Sequence, residues 1–267
     1  MKFLNEKYYD LEKLAKENNY KYTEAKPFPH IVIDNLFNEK YLNEILNDFP
    51  SNIDEIGDKF NNKVEKKFSL NDTNKFSEMT NNFINFLNSI KFIVFLQKLT
   101  NVNEKLIPDP YLVGGGLHEL RNEGYLNIHA DFNLHPLMKL DRRLNILIYL
   151  NKDWESIYGG SLELWGKKMK KCEKKIIPTF NKTVIFSTTD YSYHGNPEKI
   201  NHPNKISRKS IAMYYYSNGR PNNEKILGNH STIFRKRPNT NEGDSNVEYK
   251  KIFGRIYIKR KNKVNYF

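Results

Sequence analysis

Apolar side chains recur at helical spacing through the first part of the chain, which predicts helices there. A short amphipathic stripe near the N-terminus consists of Tyr9, Leu11, Leu14 and Ala15. A longer stripe over residues 74–99 consists of Phe76, Met79, Phe83, Phe86, Leu87, Ile90, Ile93 and Phe95. Such a stripe is typical of a helical face that packs against a sheet, so we interpret it as core and not as a cofactor site.

Between the two stripes, residues 27–37 have the pattern of an extended strand followed by a turn. Asn38 comes directly after this segment, and asparagine is a favoured residue at a helix N-terminus. The sequence therefore predicts a strand, a turn and then a helix that continues through Phe49.

From Tyr111 onward the pattern changes to short β runs separated by turns. The segment Leu144–Leu150 alternates strictly. One face carries Leu144, Ile146, Ile148 and Leu150, and the other carries Asn145, Leu147 and Tyr149. Further strands are predicted at Gly159–Trp165, Thr183–Phe186, Lys209–Ser217 and Ile252–Lys259. Helices followed by many short antiparallel strands predict an α+β protein with a double-stranded β-helix core, the jelly-roll or cupin-like arrangement, and N-terminal supporting helices.

The 267 residues contain no Pro/Gly/Ser-rich linker and no internal repeat, so we expect one globular unit. Within it, residues 1–105 form a lead-in of helices and a strand packed on the core. Residues 106–220 form the jelly-roll core, and residues 221–267 form a C-terminal extension. Residues 239–246 are polar and are predicted to be a mobile loop.

Composition excludes several classes of protein. No apolar stretch is long enough to cross a bilayer, and the N-terminus becomes charged too soon for a signal peptide. The single cysteine, Cys172, excludes an internal disulfide framework, so a cytoplasmic location is the default expectation. The net charge is +12, but lysine is spread along the whole chain. We interpret the densest basic cluster, Lys167–Lys171, as solvated surface and expect no nucleic-acid partner.

The candidate chemistry begins with His129 and Asp131, which His194 follows 63 residues after the aspartate. Side chains at alternate positions of a strand point the same way, so His129 and Asp131 share one side. Two imidazoles and one carboxylate can occupy one face of an octahedral metal and leave three positions open, as suits non-haem Fe(II). We call these three residues the metal triad.

Arg208 stands at the head of the apolar run Ser210–Tyr216. An arginine carried into an apolar interior needs an anionic partner, and its planar guanidinium matches a carboxylate. The sequence therefore predicts a carboxylate cosubstrate beside the metal.

Several further segments resemble the prolyl-hydroxylase branch of the 2-oxoglutarate/Fe(II) oxygenases. They are Arg143–Trp154, Gly159-Gly160-x-Leu162, Ile177–Asn181 and Val184–Phe186. Together with the metal triad and Arg208 they cover roughly residues 110–217, and residues 27–50 look like the lead-in of that branch. A His-x-Asp pair alone is common by chance, whereas this ordered combination is specific.

The resemblance implies roles for individual residues. The metal triad would bind iron and form the catalytic centre. Arg208 would clamp the distal carboxylate of 2-oxoglutarate, Tyr149 would donate a hydrogen bond to it, and Ser210 would assist. The implied cofactors are Fe(II), 2-oxoglutarate as cosubstrate and O2, with ascorbate in a supporting role.

The implied activity is a dioxygenase that hydroxylates an unactivated C–H bond, with a prolyl residue of a peptide or protein as the leading substrate. A free amino acid, a sugar or another small metabolite is the alternative. A nucleic-acid demethylase is disfavoured because such enzymes carry a second arginine where this chain has Tyr214. A non-catalytic cupin-like binding module is disfavoured because every member of the metal triad is present.

Two departures from the family pattern stand out. Residues 200–204 lengthen the interval between His194 and Arg208, and we expect this loop to contribute to substrate choice. The tyrosine usual upstream of the His-x-Asp pair is not evident, since residues 119–121 occupy that region.

Four histidines outside the metal triad lie at no motif position and are expected to have structural roles. They are His118, His135, His202 and His230.

Overall fold

The computed structural model describes residues 3–225, 227–243, 247–252 and 255–260, with side chains through residue 243. The α-helices of this part of the chain are α1 (Leu11–Thr23), α2 (Glu39–Asn47), α3 (Ile53–Ile56), α4 (Glu78–Leu87) and α5 (Ile90–Thr100). Its strands are β1 (His30–Asp34), β2 (Asp58–Asn61), β3 (Glu65–Leu70), β4 (Ile107–Pro108), β5 (Gly116–Leu120), β6 (Tyr125–Ala130), β7 (Asp141–Tyr149), β8 (Leu162–Trp165), β9 (Cys172–Ile176), β10 (Lys182–Ser187), β11 (Tyr193–Asn196), β12 (Arg208–Ser217), β13 (Ile233–Phe234), β14 (Val247–Ile252) and β15 (Arg255–Arg260).

The predicted helical stripe over residues 74–99 is present, but it is divided into α4 and α5. The Ser77 side chain accepts a hydrogen bond from the Thr80 amide at the start of α4, and Ser89 caps α5 in the same way. Each serine satisfies an amide that would otherwise lack a partner, so a second helix begins at Ser89. The buried phenylalanines of both helices join one core with the sheet residues Leu144 and Ile146, which confirms the core interpretation.

The sheet forms the predicted jelly roll. Its strands follow the order β1-β10-β7-β12-β5-β3-β6-β11-β8-β9, with antiparallel pairing at every step. Strand β3 lies at the corner, because residues 68–70 pair with β5 and residues 65–66 pair with β6. This corner folds the half that ends at β9 over the half that begins at β1, which leaves a cavity between them.

The two faces of β7 separate core from cavity as the alternation predicts. Its one face, represented by Leu144 and Ile148, packs in the core with the helices. On its other face, Asn145 and Leu147 line the cavity.

The hairpin of β2 and β3 is not among the sequence predictions, which placed mainly helices in the first 100 residues. These strands carry charged side chains on both faces, so no alternation reveals them. Strand β2 is extended through its pairing with β3, and β3 through its pairing with β5 and β6. The predicted strand at Ile252–Lys259 corresponds largely to β15, which pairs with β14. Residues 253–254 of that prediction, and residues 244–246 of the predicted loop, lie outside the described residues.

Throughout the described ranges, helices remain too short or too polar to cross a lipid bilayer.

Candidate metal centre and anion pocket

The two histidines of the metal triad face each other across neighbouring strands. His129 in β6 and His194 in β11 are direct partners in the antiparallel register, and their ring centroids lie 4.5 Å apart. Gly195 permits this approach, since a β-carbon there would lie 2.8 Å or less from the carbonyl oxygens of Leu126 and Asn127. The register therefore brings together two histidines that are far apart in the sequence.

Asp131 follows the end of β6 and completes the cluster. Its Oδ1 lies 3.5 Å from His129 Nε2, and its Oδ2 lies 3.4 Å from His194 Nε2. One ligand atom of each residue lies within 4.8 Å of the others, which is close enough for a shared metal ion. The side-chain geometry expected from the His-x-Asp spacing is present.

Hydrogen bonds fix the orientation of both imidazoles. His129 Nδ1 lies 2.8 Å from the Asn127 carbonyl oxygen, and His194 Nδ1 lies 2.9 Å from that of Ser192. A carbonyl oxygen only accepts, so each Nδ1 carries the proton and each Nε2 presents a lone pair toward Asp131. This donor set, two neutral imidazole nitrogens and a carboxylate, fits Fe(II).

The electrostatics keep His194 and Asp131 in the protonation states that metal binding requires. Burial lowers the pKa of His194 to about 4, so the ring is neutral at pH 7. Burial acts to raise the pKa of Asp131, but nearby Arg142 and His194 outweigh it and hold that pKa well below its usual range. Asp131 is therefore a carboxylate ready to bind a cation.

Arg142 and Asn145 support Asp131, and sequence analysis assigned a role to neither. Asn145 Nδ2 donates to Asp131 Oδ2 at 2.8 Å, and the Arg142 guanidinium lies 3.3 Å from the same oxygen. Arg142 also donates to Asn145 Oδ1 and lies 3.5 Å from the centre of the Tyr214 ring. Position 214 carries tyrosine where demethylases carry a second arginine, but Arg142 from β7 lies against that tyrosine.

A β-bulge explains why the sequence pattern hides Arg142. Tyr215 pairs with Leu144, but the next residue, Tyr216, pairs with Arg142, so Arg143 is the extra residue. Strict alternation would place Arg142 on the core face with Leu144. The bulge reverses that alternation and directs Arg142 into the cavity.

Arg208 is buried beside the metal triad, in the same cavity. Its Nε donates to the Gly160 carbonyl oxygen at 2.9 Å, and its guanidinium carbon lies 4.9 Å from the centre of the Tyr149 ring. Gly160 has φ +67°, and a β-carbon there would lie 2.9 Å from Arg208 Cδ and 2.4 Å from Ile200 Cδ1. The double-glycine motif therefore provides room for the arginine.

The charge of Arg208 is uncompensated. Among the residues that the structure describes, no carboxylate lies within 4.0 Å of it, and burial lowers its pKa. Two other cations of the sheet are paired, since Arg143 contacts Glu104 at 2.6 Å and Lys209 lies 3.6 Å from Glu119. A buried, unpaired guanidinium fits a bound carboxylate.

Two of the other predicted residues lie beside Arg208. Ser210 lines the cavity and pairs directly with Tyr149 across β7 and β12. The Tyr149 hydroxyl is buried beside the Arg208 guanidinium, which can only donate to it, so its O–H proton has no acceptor among the described residues. An unsatisfied buried hydroxyl is costly, so it is a ready donor to an anion held by Arg208. We call Arg208, Gly160, Tyr149 and Ser210 the anion pocket.

The cavity has a volume of about 900 Å³ and is lined by the metal triad, Arg208 and Ser210. His118 and His230 also line it, but His118 bonds the Gly114 carbonyl oxygen and His230 bonds Asp190, and the structural roles expected for them stay predictions. His135 instead bonds Asp109 in the interior, and His202 stacks on Tyr158, as expected of structural residues. Residues 200–204 are absent from the lining, and Ile200 is buried in an apolar cluster with Leu120 and Trp154. The contribution of this loop to substrate choice stays a prediction.

Comparison with known proteins agrees with this geometry. Residues 115–216 match the model of the 2OG-Fe(II) oxygenase superfamily. A stretch of 79 residues is 32% identical to mouse (Mus musculus) prolyl 3-hydroxylase OGFOD1, covering 28% of this chain and 14% of that protein. The chain thus matches only about a seventh of the length of this curated relative.

The fold is also that of solved prolyl hydroxylases. A Trichoplax adhaerens prolyl hydroxylase, solved with a hypoxia inducible factor peptide fragment, is similar with a TM-score of 0.52 and 16% identity, covering 78% of this chain and 90% of that one. A Phytophthora capsici prolyl 4-hydroxylase gives a TM-score of 0.53 and 16% identity, covering 78% of this chain and 65% of that one. These likenesses confirm the jelly-roll fold.

Proposed function

We propose that this chain, whose residues 115–216 match the 2OG-Fe(II) oxygenase superfamily, is an Fe(II)- and 2-oxoglutarate-dependent dioxygenase that hydroxylates an unactivated C–H bond. The observation that carries the proposal is a metal triad and a buried, unpaired arginine in one cavity. A metal site alone would fit many proteins, whereas the adjoining carboxylate site fits a cosubstrate of this class.

The residues would divide the work as follows. The metal triad would hold Fe(II), and Arg142 and Asn145 would keep the Asp131 carboxylate in place. Arg208 and Tyr149 would bind the distal carboxylate of 2-oxoglutarate, and Ser210 would contact it from the same strand as Arg208. Bound Fe(II) and 2-oxoglutarate would supply the oxidative chemistry, in which 2-oxoglutarate and O2 yield succinate, CO2 and a hydroxylated product. Ascorbate would act as a supporting reductant.

We propose a prolyl residue of a peptide or protein as the substrate. The local identity to a prolyl 3-hydroxylase supports this choice. The cavity volume also leaves room beside 2-oxoglutarate for a second molecule. A free amino acid, sugar or other small metabolite is the alternative, because a cavity of this size accommodates such molecules as well.

The proposal extends to organisation and location. We propose one globular unit in which residues 1–105 pack on the core at 106–220 and 221–267 extend it. Pairing of β1 with β10, and of β3 with both β5 and β6, supports this arrangement. We also propose a cytoplasmic location, which the single cysteine supports.

The test is Fe(II)-dependent formation of succinate from 2-oxoglutarate, measured with a panel of proline-containing peptides and a panel of amino acids and sugars. A product 16 Da heavier than the substrate, found by mass spectrometry and equimolar with succinate, is the expected result. His194→Ala should abolish turnover, and His30→Ala is the matched control because His30, also a buried histidine, lies outside the cavity. Full turnover by His194→Ala would refute the metal triad, and stimulation by the second panel alone would establish the alternative substrate class.

A further inference from the structure

A short segment from the C-terminal part of the chain closes an edge of the sheet beside the metal triad. Strand β6 pairs with β3 only at Tyr125 and Leu126, because β3 then turns toward β5. Strand β13 occupies the edge beyond that point, where Phe234 pairs with His129. We call residues 227–235 the strap.

The strap forms part of the cavity wall although it lies outside the superfamily match at residues 115–216. Residues 229–232 and Phe234 line the cavity that contains the metal triad. The Phe234 ring centroid lies 5.5 Å from that of His129. An apolar ring therefore lies next to a metal ligand, where a substrate C–H bond would have to be presented.

A polar clamp holds the strap to the loop that contains Asp131 and to the loop that precedes His194. His230 Nε2 lies 2.9 Å from Asp190 Oδ1, and the His230 amide donates to Asn133 Oδ1 at 3.0 Å. Asn133 Nδ2 in turn donates to Asp190 Oδ1 at 3.1 Å, and the Leu227 amide donates to Asp190 Oδ2 at 2.6 Å. Asn133 lies two residues after Asp131, and Asp190 lies four residues before His194. We call Asp190, Asn133 and His230 the clamp.

The clamp is buried, which makes its geometry specific. Asp190, Asn133 and His230 are each less than one tenth exposed. Buried polar groups that satisfy one another fix a unique arrangement, and loss of one leaves the others unpaired. Such a network defines the position of the strap more sharply than the two residues of β13 could.

We propose that the strap is the substrate-selecting wall of this oxygenase, with Phe234 as a specificity-determining residue and the clamp as its positioning device. This inference rests on the proposed function. Phe234 would exclude water and orient the substrate carbon next to the metal, so one C–H bond would be oxidised in preference to its neighbours. Because the strap supplies this wall from outside the common core, its sequence can tune substrate choice without disturbing the metal triad.

The experiment compares Phe234→Ala, Phe234→Leu, His230→Ala and His230→Gln with the parent, and uses Lys236→Ala as control. Lys236 is exposed and is the first residue after the strap. Co(II) and 2-oxoglutarate titrations first establish that each variant keeps an intact site, with dissociation constants within about twofold of the parent. The probe is whichever peptide or small molecule of the two panels most stimulates succinate formation by the parent.

For Phe234→Ala we expect KM for that probe to rise about tenfold or more, and succinate to exceed hydroxylated product. His230→Ala should shift both quantities in the same direction, whereas Phe234→Leu and His230→Gln should recover part of each loss. A merely structural role would change 2-oxoglutarate binding and probe KM together. If no probe stimulates the parent, the deciding quantity is substrate-free decarboxylation of 2-oxoglutarate, which Phe234→Ala should raise about threefold or more by admitting water.

Parent-like KM and product ratio in Phe234→Ala and His230→Ala would overturn the inference and leave the proposed function standing. Unchanged substrate-free decarboxylation would do the same where no probe is found. A parent that forms no succinate with Fe(II) and 2-oxoglutarate would overturn the proposed function, and this inference with it.

Discussion

Replacing Arg208 by alanine removes the only charged contact that the anion pocket offers a carboxylate. The arginine is buried, and its Nε is already bonded to Gly160. Its two terminal nitrogens remain for a ligand, and they can form two parallel hydrogen bonds with one carboxylate. Arg208→Ala should therefore weaken 2-oxoglutarate binding far more than it affects the metal triad.

The magnitude follows from burial. Without the guanidinium, the carboxylate enters a dry pocket with only the Tyr149 hydroxyl and Ser210 as partners. Truncating one partner of a buried charge pair costs about 2–5 kcal/mol. Since about 1.4 kcal/mol corresponds to a factor of ten, the dissociation constant should rise roughly 30- to 4000-fold.

The assay is calorimetric titration of Co(II)-loaded, oxygen-free protein with 2-oxoglutarate. Lys209→Ala is the matched control, because Lys209 is the next residue in β12 but contacts Glu119 and Ser207 instead of the cavity. We expect its affinity to equal that of the parent.

A second measurement separates binding from folding. Arg208→Met retains volume but removes a buried, unpaired charge, so in the absence of 2-oxoglutarate its melting temperature should equal or exceed that of the parent. If Arg208→Ala bound 2-oxoglutarate as tightly as the parent, the reasoning would be refuted, and Arg142, another arginine that lines the cavity, would become the candidate anchor.

Three further predictions follow from particular contacts. Asn145→Ala removes a hydrogen bond to Asp131 and should lower Co(II) affinity about 10- to 100-fold, as measured by spectroscopic titration; unchanged affinity would contradict a supporting role. Gly160→Ala puts a β-carbon against Arg208 at φ +67°, so 2-oxoglutarate affinity should fall while Co(II) affinity persists, and equal loss of both would indicate general misfolding. Burial lowers the pKa of His118 to about 3, below the usual 6.5, so the unfolded chain binds the extra proton between these pH values. The free energy of unfolding of the parent should therefore fall as pH drops below 6.5. His118→Gln should reduce the slope of that free energy against pH by about 1.4 kcal/mol per pH unit, measured by denaturant unfolding, and an unchanged slope would contradict this prediction.

The sequence by itself determined the elements whose signals are local. Alternation in β7 separated the core face from the cavity face, and the i, i+2 spacing placed His129 and Asp131 on one side of a strand. The order of the motifs along the chain then identified His194 and Arg208. A His-x-Asp pair, a distal histidine and an arginine at the start of a strand rarely occur in this order by chance. Fold class and metal triad are therefore readable without coordinates.

Only the tertiary structure decided how the site is supported. The β-bulge at Arg143 reverses the alternation and turns Arg142 toward Asp131, and no sequence period signals a bulge. Strands β2 and β3 lack an apolar pattern; β2 is a strand through its pairing with β3, and β3 through its pairing with β5 and β6. The anion pocket likewise depends on the approach of Gly160 to Arg208, 48 residues apart.

The strap shows the same division most plainly. Phe234 lies 105 residues after His129 in the sequence, yet the two are paired in the sheet. Local periodicity reports which face of a strand is apolar, but it carries no information about which distant segment fills a vacant edge. That choice depends on where β3 leaves β6 and on the buried clamp, and both exist only once the chain has folded.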